Sequence, residues 1–464
     1  MSVTQSSTTV LEPIELQSLA VTPEPSVLAS ETKASKGRRL ESAHDITTAP
    51  EDPLPSDHNV TTLESWNNPR SNIYRIGASY WSLLVTGAND AAYGALIPYL
   101  ETYYKLDYLV VSLVFLSPFV GYILAATCNN HIHMRFGQRG IAVICSLCHI
   151  AAYIVLSQHP PYPVLVVVFI VAGFGNGVAD AAWNAWIGNL NKANELLGFL
   201  HAFYGVGGTI GPLIATTMIT KGGLSWYSFY YVMIGMSVIE LAACTAAFWH
   251  CGAEEYNRAI QASSENTTGM RTALFSKPYA RVTWIGALFL LGYVGAEVSL
   301  GGWIVQFMIR VREAENFSAG MTSVGFWLGL TVGRAILGFV TPLLGVKLAV
   351  LIYVPAAMAL ELVFWLVPQF YVSAVAVSLQ GFFLGPLFPA VIVVMTRLLP
   401  KHLHVSAVGF VAAVGGSGGA LLPFATGALA QAKGVQVLQP IILAFLGLLL
   451  VLWLCLPRLG KKRD

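Results

Sequence analysis

Apolar residues are not spread evenly along this chain. From position 70 they gather into runs of about 20, the length that carries a helix across some 30 Å of hydrocarbon. Twelve such runs stand out, at 76–99, 109–128, 140–157, 163–188, 197–219, 229–250, 283–308, 321–344, 347–367, 371–396, 405–430 and 437–457. The only long polar interruption, 251–279, divides them six and six. The pattern predicts an all-α membrane protein with twelve transmembrane helices. Its expected organisation is a tail over 1–69, a six-helix half over 70–250, a linker over 251–280, a second half over 281–457 and a basic end at 458–464.

The two halves repeat. A gapless shift of 208 residues aligns TGANDAAYGALIP (86–98) with VGAEVSLGGWIVQ (294–306), GFGNGVADAA (173–182) with GFFLGPLFPA (381–390), and GVGGTIGPL (205–213) with AVGGSGGAL (413–421). Shared composition explains the residue types but not one constant register across three helix pairs. Lys and Arg placement sets the expected orientation. With both termini on one side, the loops, linker and C-terminal end there carry 14 basic residues against 5 on the other. That side is read as cytosolic.

Composition narrows the class. The chain is 55% hydrophobic and 11% charged, about half the charge of a soluble domain, and 10 of its 24 acids precede position 70. This excludes an ordinary soluble enzyme and a nucleic-acid binder, which needs a concentrated basic surface. The segment 1–69, rich in Ser, Thr, Pro and Glu, is expected to be a disordered cytosolic tail without a secretory signal. The six cysteines lie in or beside apolar runs and imply no disulfide framework. Cys145 and Cys148 form a CxxC inside an apolar helix, a packing feature rather than a metal or redox site. There is no GxxxxGK[ST] phosphate loop and no HExxH. ATP hydrolysis, a metal and a cofactor are therefore not expected, nor is an enzyme. The expected partners are a small solute, protons and the lipid bilayer, with the chain acting as a monomer.

An ionisable group at the bilayer centre costs about 2.5–3.5 kcal/mol on insertion scales, so each one needs a reason. Asn176, Asp180 and Asn184 stand four residues apart in the fourth span, forming one polar stripe. The stripe faces either a watery cavity or a buried hydrogen-bond network. Its counterparts in the tenth span, Leu384, Phe388 and Ile392, are apolar, so the polar chemistry is one-sided. Asn89 and Asp90 lie in the first span, and Glu297 in the seventh aligns with Asn89. Desolvation favours the protonated form of a carboxylate, the property that coupling proton flow to solute movement requires. Asp180, Glu297 and Asp90 are the proton-coupling candidates. Glu297 also has a plainer reading, an ion pair with Arg334 in the next span, and a gating pair satisfies both. Glu240 and Glu361 stand alone among apolar residues and are given no transport role. Substrate-binding candidates are Asn89, Asn176 and Asn184, with Tyr93, Trp183 and Trp303 offered as stacking surfaces for a ring. Gly207, Gly211 and Pro212 in the fifth span predict a close helix contact and a bend.

Twelve helices, a six-plus-six duplication and a polar central linker resemble the major facilitator superfamily over 70–457. The fifth-span glycine pattern resembles that family's motif C, with Ala215 and Thr216 at the usual terminal glycine pair. Arg135-Phe136-Gly137-Gln138-Arg139 resembles its motif A, keeping the basic and glycine positions while Met134 and Asn130 replace an Asp and a Gly. More narrowly, GVADAAWN in the fourth span is similar to the acid-x3-Asn signature of the fucose-permease branch. YVGAEVSLGGW in the seventh and GLTVGR in the eighth look like fungal members of that branch. The resemblance implies that Asp180 takes part in proton coupling and sugar binding, with Asn184 beside it. Asp90 lies eight residues before Pro98, farther than the branch pattern.

The resulting expectation is a secondary active transporter moving a sugar-like or secondary-metabolite solute by alternating access, coupled to protons, in the plasma membrane. Direction stays open, because the permease resemblance points to import and motif C to efflux. Two other classes are a non-transporting nutrient sensor or receptor on the same scaffold, and a membrane-embedded enzyme, which the absence of a histidine on an internal turn with these acids disfavours.

Overall fold

The structure, a computed structural model, describes residues 64–254, 267–400 and 403–457. Most of the expected tail, the middle of the linker and the basic C-terminal end lie outside the described residues.

The described secondary structure is helical apart from one isolated bridge between Ser65 and Asn68. The helices are α1 (Ser71–Tyr104), α2 (Tyr108–Val111), α3 (Leu113–Ser157), α4 (Tyr162–Gly188), α5 (Ala193–Thr220), α6 (Phe229–Ala247) and α7 (Thr267–Phe275). They continue with α8 (Tyr279–Val311), α9 (Asn316–Leu344), α10 (Val346–Leu366), α11 (Phe370–Leu384), α12 (Leu387–Leu398), α13 (His404–Lys433) and α14 (Leu438–Cys455).

Among the described residues, ten helices are long and apolar enough to cross a membrane. That tally omits α1 and takes Tyr108–Ser157 as one helix. The stretch covers both the second and third expected spans, and its backbone leaves the helical region at Gly137 (φ 66°, ψ −165°). Only glycine adopts that conformation readily, and a Cβ there would also overlap the backbone of Gly252 after α6. The first span is less apolar because Ser79, Ser82, Thr86 and Asn89 all turn inward and are buried. Lipid does not see them.

The tenth span, expected over 371–396, is present as one membrane-length stretch, Phe370–Leu398, interrupted between Leu384 and Leu387 so that it divides into α11 and α12. Pro389 has no N–H to offer the Gly385 carbonyl four residues earlier. Arg334 Nε of α9 supplies that bond instead, at 3.2 Å.

Glycine sets how close the helices come. Cβ atoms on Gly207 and Gly211 of α5 would collide with the carbonyl oxygens of Leu84 and Ala88 on α1. The equivalent contact in the second half sits at Gly415 and Gly418 of α13, against Leu290 and Leu291 of α8. α5 runs through Pro212 as one helix.

At the end where α1 finishes, the first and second sets of helices are locked together. Gly94 of α1 meets the backbone of Gly301 and Gly302 on α8. Glu101 accepts from Gln306 and pairs with Arg310 at 3.1 Å. Gln431 Oε1 accepts from the Tyr108 backbone N–H at 2.9 Å, and Lys221 lies 4.4 Å from the Phe317 ring centroid. The Arg310 side chain is 53% exposed, so solvent screens the pair. Glu101→Gln should cost no more than about 1 kcal/mol, seen as an unfolding midpoint lowered by about 2 °C or less. A larger drop would show that the pair carries the seal.

Candidate translocation site

The polar residues converge where α1, α4 and α5 meet. Asp90 is half-buried on α1 and gathers three donors from three helices. Its Oδ1 accepts from Asn89 Nδ2 at 3.1 Å and from Asn176 Nδ2 at 3.0 Å. Its Oδ2 accepts from the Tyr204 hydroxyl at 3.2 Å. Hydrogen bonds to a charged group contribute about 1.5–3 kcal/mol each, so this half-buried carboxylate is strongly positioned. α5 can bring Tyr204 here because Gly87 of α1 leaves room for its backbone.

Asp180 and Asn184, also half-buried, form their own pair on α4, with Asn184 Nδ2 donating to Asp180 Oδ1 at 2.9 Å. Asp180 and Asp90 interact electrostatically, and Tyr122 of α3 feels both. The expected stripe is therefore split. Asn176 turns to Asp90, while Asp180 and Asn184 stay together.

On the other side, Glu297 Oε1 of α8 lies 3.7 Å from Arg334 Nη2 of α9. Arg334 Nη2 also reaches the Tyr293 hydroxyl at 3.4 Å. Tyr204 bonds Asp90 and also interacts electrostatically with Glu297 and Arg334. His201, one turn earlier on α5, feels Arg334 and lies with its ring centroid 6.2 Å from that of Phe388 on α12, the planes tilted by 43°.

Several expected residues are placed elsewhere. Trp183 is fully buried, stacks on Phe248 at 4.7 Å and donates Nε1 to Ser82. Trp303 is fully buried, with Nε1 on the Pro423 carbonyl at 2.9 Å. Tyr93 is buried edge-on against Phe115 and Phe169, its hydroxyl accepting from Asn89 at 2.7 Å. None of the three offers a free ring face, because helix packing has already used it. Arg135 and Arg139 lie at the far end of the bundle. Arg139 sits over Trp249 and donates to its carbonyl at 3.4 Å, and Arg135 lies over the Phe136 ring.

Glu240 and Glu361 are not alone. Glu240 meets His149 at 2.8 Å and Ser82 at 2.6 Å, and Glu361 accepts from Gln380 at 2.8 Å. The partners come from other helices, which helical periodicity does not reveal. Tyr204, Tyr122 and His149 were also missed as site residues. The one available signal was that each is polar-tipped within an apolar span.

The major facilitator superfamily model matches residues 80–367. The chain belongs to the major facilitator superfamily. It is 28% identical over 457 residues to the Saccharomyces cerevisiae "Bypass of stop codon protein 6", covering 89% of this chain and 91% of that one. It is 25% identical over 398 residues to the Brucella abortus "Glucose/galactose transporter", covering 79% and 90%. The solved structure of a D-xylose-proton symporter superposes with a TM-score of 0.65 at 14% identity, covering 84% of this chain and 99% of that one. That likeness shows the fold. The chain is thus a multi-pass membrane protein of a transporter family.

Proposed function

We propose that this protein carries a sugar-like solute across the plasma membrane by alternating access, driven by protons, with Asp90 as the principal coupling group and Asp180 and Glu297 beside it. The carrying observation is the Asp90 cluster: a half-buried carboxylate whose three donors come from α1, α4 and α5. Any change in its charge is felt by all three helices. Asn184, Asn176 and Asn89 supply the amide groups a polyhydroxylated ring would meet. The relative named a glucose/galactose transporter supports a hexose as the first solute to try.

On this reading the two six-helix halves, 70–250 and 281–457, rock about the site, with 251–280 as a cytosolic linker. Both termini are cytosolic, so the seal at Glu101, Gly94 and Tyr108 closes the outer face. The protein works without ATP hydrolysis and is not an enzyme.

The test is uptake of D-glucose and D-galactose into proteoliposomes. With one proton per solute, an inward gradient of one pH unit supports accumulation of about tenfold, abolished by a protonophore. Accumulation that ignores the gradient would overturn the coupling.

A further inference from the structure

At the end of the bundle opposite the seal, two cavities adjoin, and solute transport uses neither. The turn at Gly137 of α3 lies against Gly252, and the Arg139 backbone N–H donates to the Cys251 carbonyl at 3.0 Å. These contacts hold the turn beside the segment that follows α6. Between them opens a cavity of about 850 Å³, whose polar lining is Arg135, Arg139, His250 and Glu254. Two guanidinium groups against one carboxylate give it a positive balance.

Both arginines are exposed, and among the described residues neither forms an ion pair. Arg135 lies over the Phe136 ring. Arg139 lies 5.4 Å from the Trp249 ring centroid and gives one N–H to that residue's carbonyl. Aromatic contacts position both guanidinium groups while leaving each with N–H donors for an anion.

The second cavity, about 530 Å³, adjoins the first and shares Val143 and Trp249 with it. Its walls are one face of α3, with Val143 and Leu147 a turn apart, and one face of α6, with Ala242 and Ala246 a turn apart. The small alanines leave a groove between the helices. It faces outward, since Leu147 is 48% exposed. Its lining is apolar apart from Thr245, whose hydroxyl has no hydrogen-bond partner. Thr245 stands one turn from Trp249, towards the junction of the two cavities.

A cationic pocket that opens into an apolar groove, with a spare hydroxyl near the junction, matches an amphiphile. The outward face of a multi-pass membrane protein meets lipid. We propose that the two cavities together bind one anionic glycerophospholipid. Its phosphate sits on Arg135 and Arg139, whose planar forks suit phosphate oxygens. An ester carbonyl accepts from Thr245, and one acyl chain fills the groove between α3 and α6. With the termini cytosolic, as proposed above, the site faces the leaflet where anionic lipids concentrate. A free phosphate would use the arginines alone, and the choline of a zwitterionic lipid would be repelled by them.

The test needs neither solute nor gradient, so failure of the transport reading leaves it intact. Full-length protein in detergent is titrated with dioleoylphosphatidylglycerol while its unfolding midpoint is followed, since a ligand of the folded state raises it. The rise should saturate. Dioleoylphosphatidylcholine, with the same chains, should require about tenfold more lipid, and inorganic phosphate should give no rise. Arg135→Gln/Arg139→Gln should weaken the phosphatidylglycerol response about 25-fold, roughly fivefold for each charge, and erase the preference over phosphatidylcholine. Equal responses to the two lipids, a rise with phosphate alone, or an unchanged response in the double variant would each overturn the proposal.

Ala246→Trp serves if the double variant does not fold. It fills the groove and touches no charge, so it should weaken the phosphatidylglycerol response as well. An unaltered response there would show that no chain lies between α3 and α6, and the lipid assignment would fall.

Discussion

Asp90→Asn is expected to abolish pH-gradient-driven uptake while the protein still reaches the membrane and exchanges solute. The substitution keeps size but removes the ionisable group. Its carbonyl oxygen can still accept from Asn89 and Asn176, and the Tyr204 hydroxyl can rotate to accept from the new N–H₂, so the change removes charge and a proton site rather than hydrogen-bond partners. Driven uptake should fall by about a hundredfold or more, the scale set by losing an ionisable group from its task, while counterflow persists at a reduced rate. Asp180→Asn is the internal comparison. Asp180 is held by Asn184 on its own helix, so its neutralisation should disturb solute affinity more than coupling. Undiminished stimulation by a pH gradient in Asp90→Asn would sink the assignment. If Asp180→Asn instead abolished it, the coupled proton would move to α4.

Gly94→Leu should prevent the outer seal from closing. At this position α1 and α8 touch backbone to backbone, and any Cβ overlaps the Gly301 carbonyl oxygen. Backbone cannot rotate aside as a side chain can. Overpacking typically costs about 1–3 kcal/mol, which shifts a two-state equilibrium about 5- to 150-fold. Net uptake should fall accordingly. Ser112, fully buried at the same end against Gly427, provides the readout. In a background lacking the exposed Cys128 and Cys455, Ser112→Cys should resist an impermeant thiol reagent, and adding Gly94→Leu should make it react. Equal labelling in both would show that the contact does not govern the seal.

The two variants probe different kinds of knowledge about this chain. Gly207 and Gly211 announced a close contact in the sequence, and it is present against Leu84 and Ala88, because small residues at helical spacing leave one answer. Asp90 was visible as a rare charge, but its three partners were not. Nor were those of Glu240, whose contacts lie 91 and 158 residues away in the chain. Trp183 and Trp303 show the opposite error. An aromatic ring in an apolar helix reads the same whether it stacks on a solute or on Phe248, and the helix facing it decides which.

By itself the sequence determined a helical membrane protein of this superfamily, because apolar length, glycine spacing and scarce charge are local properties imposed by the bilayer. Tertiary structure alone decided which donors gather on Asp90, which histidine meets Glu240, and that Arg334 caps a carbonyl that Pro389 leaves unpaired. In hydrocarbon every polar group must find a partner within the protein, and helices distant in the chain supply those partners.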